Sequence, residues 1–146
     1  MCSNDVILSR MCLALLTQIQ HKHGGIFSPQ LFDEHSKTYN RKELFNFFSN
    51  YIESSIWLYP IKKDHICGPI FLFDKTIYDK IGKFDEKFCI HFQVEDYYER
   101  ALINNISSWQ SNMVGAYHLG GLTLKTKYGN KDASPYKNSD IKYFKQ

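Results

Sequence analysis

An excess of charge of either sign is nearly absent: 18 Lys and Arg stand against 15 Asp and Glu, a net of +3. So small an excess provides no electrostatic footprint for nucleic acid, and none is indicated as a partner. Cysteine is sparse, and Cys2, Cys12, Cys67 and Cys89 are scattered with no C-x-x-C pair. That spacing indicates neither a zinc knuckle nor a disulfide framework and favours reduced thiols in apolar surroundings. No apolar run is long enough to span a membrane. Asp5 and Arg10 interrupt the apolar residues of the N-terminus, and no cleavage-like site follows. The expectation is a soluble cytoplasmic protein, with peripheral membrane contact left open. Internal repeats are also lacking.

What is present is apolar and aromatic. Of 146 residues, 43% are hydrophobic and 16% aromatic. That is enough for the core of one domain and argues against disorder in its body.

The pattern alternates helices and strands. Ser3-Asn4-Asp5-Val6 stands before a helical stripe of Leu8, Met11, Leu15, Leu16 and Ile19, and Gly24-Gly25 ends it. Ile26 to Pro29 reads as a short strand stopped by proline, and Phe32 to Thr38 as loop. Asn40-Arg41-Lys42-Glu43 resembles a capping box and predicts a helix with Leu44, Phe45, Phe47, Phe48, Tyr51 and Ile52. Ser55 to Tyr59 and Ile66 to Phe73 are strand-like, the second interrupted by Gly68-Pro69. Asp74 caps a helix from Lys75 to Ile81, closed by Gly82. A turn at Phe84-Asp85-Glu86 and a helix from Glu95 to Ile103 follow. Ile106 to Trp109 and Met113 to Tyr117 read as two short strands. The tail from Lys125 is polar, a lid or loop with a terminal helix from about Ser139.

Several side chains could carry chemistry. Glu95 and Asp96 fall in a first helical turn, where the dipole keeps a carboxylate ionised and able to take a proton from a hydroxyl. Acidic residues there are also ordinary caps. Arg100, four residues after Asp96, can pair with it or reach outward to a phosphate. Gly120-Gly121 permits a phosphate to approach backbone N–H groups. His21 and His23 flank Lys22 at a helix end, which suits cations at a C-terminus better than a metal site. Gly68 is either a bulge or a place of close backbone approach.

Taken in order, Gly82-Lys83-Phe84-Asp85-Glu86, Glu95-Asp96-Tyr97-Tyr98-Glu99-Arg100 and His118-Leu119-Gly120-Gly121-Leu122-Thr123 resemble the acceptor half of family 2 glycosyltransferases with the GT-A fold. The resemblance runs from near Met1 to about Thr123. In one departure, the segment from Phe88 to Glu95 is slightly longer than is usual there. The resemblance implies an α/β fold, a GT-A-like mixed sheet flanked by helices. It divides the chain into a catalytic and acceptor portion, 1–123, and a polar C-terminal loop and short helix, 124–146.

It also implies roles. Ser3-Asn4-Asp5 falls where the family's Asp-x-Asp motif is expected, so Asp5 would hold Mn²⁺ or Mg²⁺, with His118 completing the site or touching the diphosphate. Read alone, Asn4 or Asp5 is more readily a cap of the following helix, a preference the downstream motifs reverse. Asp96 would be the general base, and Glu95 would position the acceptor. Gly68 would border the donor sugar, and Arg100, Gly120 and Gly121 would lie near its phosphates. Phe84 and Asp85 would pack beneath the site. The implied activity is metal-dependent, inverting transfer of a sugar from a nucleotide diphosphate to a carbohydrate or other hydroxyl acceptor. The alternative is a non-catalytic carbohydrate-binding or assembly module on the same fold. Such enzymes carry a nucleotide-binding half before the metal motif, and this sequence begins close to that motif. The expectation is therefore a separate chain carrying that half, or a homo-oligomer covering the exposed sheet edge.

Overall fold

The structure is a computed structural model. It describes residues 2, 5–33, 42–43, 46, 49, 51, 57–61, 68–89, 91–120, 126–127, 129 and 136–145. Their elements are β1 (Val6–Leu8), α1 (Cys12–His23), β2 (Ile26–Asp33), β3 (Leu58–Pro60), α2 (Lys75–Ile81), α3 (Gln93–Ile103), β4 (Ser108–His118) and α4 (Lys137–Phe144). This is the expected mixed α/β arrangement. The sheet is four-stranded and mixed, and β4 is its hub. β2 runs parallel to β4 along one edge. The other edge is shared: β1 pairs antiparallel with its end, Val6 opposite His118, and β3 with its start, Pro60 opposite Trp109.

Helices cover both faces. Successive strand residues point to opposite sides, and Ile26 and Phe27 divide the core accordingly. Ile26 packs with Ile77, Ile81, Tyr97, Tyr98 and Ala101 of α2 and α3. Phe27 packs with Cys12, Leu16 and Ile19 of α1 and with Val114. Among the described residues no helix is long and apolar enough to cross a membrane.

α2 follows the sequence closely. Asp74 Oδ1 accepts the Ile77 N–H at 3.0 Å, and Gly82, at φ 88°, ends the helix. The Thr76 hydroxyl, the Ile77 N–H and the Gln20 amide together hold the Asp74 carboxyl below the usual carboxylate range. His21, Lys22 and His23 are exposed in the last turn of α1, as expected of cations there. Of the stretch after Asn40, residues 42, 43, 46 and 49 are helical; Leu44, Phe45, Phe47, Phe48 and Ile52 lie outside the described residues.

Other expectations are corrected. Val6 to Leu8 is a strand, so α1 starts at Cys12 and Leu8 leaves its apolar stripe. β2 continues through Pro29 to Asp33, absorbing part of the predicted loop. Pro29 is tolerated because the ladder breaks beside it: one step along β2, Pro29 to Gln30, spans four along β4, Ser111 to Gly115. β4 is one strand, not two. Its polar middle is satisfied from outside: the Gln110 amide donates to Pro29 O, and Asn112 exchanges bonds with the Trp57 backbone. Residues 70–72 form isolated bridges, Cys2 with Ile70 and Phe27 with Leu72, in place of a continuous strand.

Gly25 joins α1 to β2 at φ +102°, and a Cβ there would lie 2.5 Å from the Ser107 carbonyl oxygen. That oxygen already accepts the Ile26 N–H at 2.9 Å, so it cannot withdraw without cost. Gly25→Ala is expected to destabilise the fold by about 2–4 kcal/mol, combining left-handed strain with a backbone clash. Urea unfolding checks this: the midpoint falls with an unchanged slope, and a wild-type midpoint would refute the clash.

Candidate catalytic and metal-binding site

Asp5 and His118 come from opposite ends of the chain and meet where β1 joins the end of β4. The Leu119 N–H donates to the Asp5 carbonyl at 2.9 Å, extending the ladder past Val6 and His118. This sets the two side chains together: His118 Nε2 lies 3.4 Å from Asp5 Oδ1, with Asp5 buried and His118 partly exposed. The capping explanation of Asp5 is thereby removed. α1 begins seven residues later, its N-terminal boundary residue is Met11, and no side chain caps it. A carboxylate this buried costs free energy unless it is partnered, and the imidazole is one partner. Among the described residues no group of three or more His, Cys, Asp or Glu side chains converges as a complete metal cage.

The second part of the site is the start of α3. Sequence reading begins this helix at Glu95, but it starts at Gln93, behind Phe92 in the left-handed region at φ 64°. Asp96 therefore lies within the first turn and does not open it; its N–H donates to Phe92 O at 2.9 Å. Arg100 holds the carboxylate through Nε and Nη2, both to Oδ2, at 2.9 and 2.7 Å. Its Nη1 donates to Ile81 O at 2.8 Å and Lys83 O at 3.0 Å, and the guanidinium lies over the Tyr97 ring. Arg100 is thus committed inside the chain. It fixes Asp96 and ties α3 to the end of α2, which leaves the outward, phosphate-directed alternative unused in this arrangement. Glu95 is partly buried beside it.

The segment after Gly68 links the two parts. Ile70 bridges Cys2, three residues before Asp5, and Gly68 lies beside Val94, one residue before Glu95. A Cβ on Gly68 would sit 3.9 Å from the Val94 methyl, ordinary contact, so the protein's own packing does not demand glycine there. Gly120 follows the His118 strand end at φ +69°. Gly121 lies outside the described residues, as do Ser3 and Asn4.

Phe84 packs on α3, and Asp85 is bonded to α4. The Phe84 ring stacks on Tyr97 at 4.4 Å between centroids. Asp85 accepts the Lys87 N–H at 2.9 Å and the Tyr143 hydroxyl at 2.8 Å, and these two bonds hold its carboxyl below the usual range. Tyr97 is wholly buried, and its hydroxyl has no hydrogen-bond partner among the described residues. Burial pushes its phenol pKa up. Removing an unpaired buried hydroxyl restores water's bonds at no loss to the protein. Tyr97→Phe is therefore expected to raise stability, by up to about 1 kcal/mol. A thermal melt shifted down by that amount would mean that the hydroxyl has a bonded partner.

Sequence reading missed Asp140. It is 1% exposed, and its carboxylate accepts the Cys89 N–H at 3.1 Å and the His91 N–H at 2.9 Å. Nothing local marks it: an acidic residue in a polar tail reads as solvated, and both bonds cross about fifty positions of sequence. The terminal helix also begins at Lys137, two residues before the expected start, and it is docked. Tyr143 meets Phe88 edge-on at 4.8 Å, and Phe144 stacks on Phe92 at 4.9 Å.

No family model matches this chain, and neither a curated protein nor a solved structure matches it.

Proposed function

We propose that this chain is the catalytic and acceptor portion of an inverting, metal-dependent glycosyltransferase of the GT-A type. The observation that carries the reading is the pairing of Asp5 with His118. Two residues assigned to one metal from separate motifs fall within hydrogen-bonding range across adjacent strands. One carboxylate oxygen and one imidazole nitrogen suit Mn²⁺, with Mg²⁺ the harder alternative, and leave coordination positions for diphosphate oxygens and water. A cation held there would neutralise the leaving nucleotide diphosphate.

The chain's own residues would do the rest. Asp96, fixed by Arg100 in the first turn of α3, takes the proton of the acceptor hydroxyl. The acceptor oxygen forms its bond to the anomeric carbon from the face opposite the diphosphate, which leaves with the electron pair of the broken bond. Glu95 orients the acceptor through hydrogen bonds. Calorimetric titration of a nucleotide diphosphate sugar, with Mn²⁺ and again with a chelator, tests the reading. Binding that requires the metal supports a transferase. Sugar bound equally well without it supports a carbohydrate-binding module instead.

A further inference from the structure

We infer that Asp140 is a positioning residue for the Glu95–Asp96 carboxylates, acting through the backbone at Cys89, His91 and Phe92. The inference rests on the reading of those two carboxylates as the working pair. Its geometry stands on its own. The described residues Asp85–Cys89, His91 and Phe92 lead into α3, and α4 grips them at several points. Asp140 takes the N–H groups of Cys89 and His91. The Tyr143 hydroxyl donates to Asp85, the Tyr143 ring meets Phe88, and the Phe144 ring stacks on Phe92.

The segment needs such a grip because it ends in strain. Phe92 adopts φ 64°, a left-handed conformation that side chains with a Cβ rarely adopt. That conformation turns the Phe92 carbonyl toward α3, where it accepts the Asp96 N–H at 2.9 Å. The strained residue therefore sets the first turn, and the first turn sets where the Asp96 carboxylate meets Arg100. Asp140 is the one charged group on α4 that is buried against this segment, and the N–H groups of Cys89 and His91 would lose this acceptor without it. Its aromatic neighbours fill space, but only the carboxylate fixes the direction of the backbone at 89 and 91.

The experiment uses the full chain with Asp140→Asn and Asp140→Ala. Asparagine keeps the shape and one acceptor oxygen, so it guards against simple failure to fold. The probe is solvent exchange of the Arg100 Nε proton, followed by NMR, because that proton is held by Asp96. The amides of Phe27, Leu72 and Leu119 serve as references in the sheet. Exchange at Arg100 is expected to quicken about tenfold or more in Asp140→Asn, and further in Asp140→Ala, with the reference amides unchanged. Unchanged Arg100 exchange, even with Cys89 and His91 freed, would overturn the inference, since Asp140 would then anchor only its own loop. Equal acceleration at the reference amides would overturn it too, as a global loss of stability. The measurement needs no substrate. Failure of the transferase reading appears separately, as absence of metal-dependent donor binding in the wild-type protein in its complete assembly.

Discussion

In the complete, reconstituted enzyme Asp96→Asn is expected to cut single-turnover sugar transfer by about a hundredfold to ten-thousandfold, the usual effect of losing a general base. Donor and acceptor binding should change little. The argument is local. Both Arg100 bonds go to Oδ2, so Oδ1 is the oxygen left to meet an acceptor proton. Asparagine retains an oxygen for the guanidinium and the shape of the first turn, but it has no basic oxygen. Arg100 itself stays anchored to Ile81 and Lys83 through Nη1, so the helix should not shift. Glu95→Gln should do less to the chemical step and more to acceptor affinity. Near-normal transfer in Asp96→Asn, or a collapse confined to Glu95→Gln, would place the base on the wrong residue.

Asp5→Ala is expected to abolish metal-dependent donor binding in the assembly that is active, while the protein stays folded. The side chain is 7% exposed and faces His118 at 3.4 Å, but the strand pairing beside it runs through backbone groups that alanine retains. Some stability should be lost, about 1–3 kcal/mol for the broken polar contact. Loss of the ligand should be complete, because a single imidazole is a poor site for a hard cation. Titration of Mn²⁺ with a nucleotide diphosphate sugar reads the first effect and thermal unfolding the second. A variant that melts lower yet binds the donor with Mn²⁺ as before would reduce Asp5 to a structural partner of His118.

Local chemistry was legible in the sequence, and long-range pairing was not. Asp74 and Gly82 bound α2 because a cap and a left-handed glycine act within a few residues. Gly24 ends α1 for the same reason. β1 was invisible because three residues make a strand only when β4, from the far end of the chain, lies beside them. The polar centre of β4 read as a break because the partners of Gln110 and Asn112 sit on β2 and beside β3. The site divides along the same line. Asp5, His118, Glu95 and Asp96 were named from motif order, and the structure brings Asp5 to His118 and Asp96 to Arg100. Asp140 carried no signal, since a carboxylate buried on distant N–H groups looks in sequence like any solvated acid.

That β4 pairs with all three other strands has a consequence for how the protein comes into being. During synthesis β1, β2 and β3 emerge first, and none of them is paired with another. The ribosome must extend the chain through Ser108–His118 before any part of the ladder can close. Until then the helices have only β2 to pack against and no sheet, a long non-local wait of the kind that slows folding and leaves chains prone to association. The last strand made is the first one the sheet requires, and the Asp5–His118 pair at its end can form only once that strand has arrived.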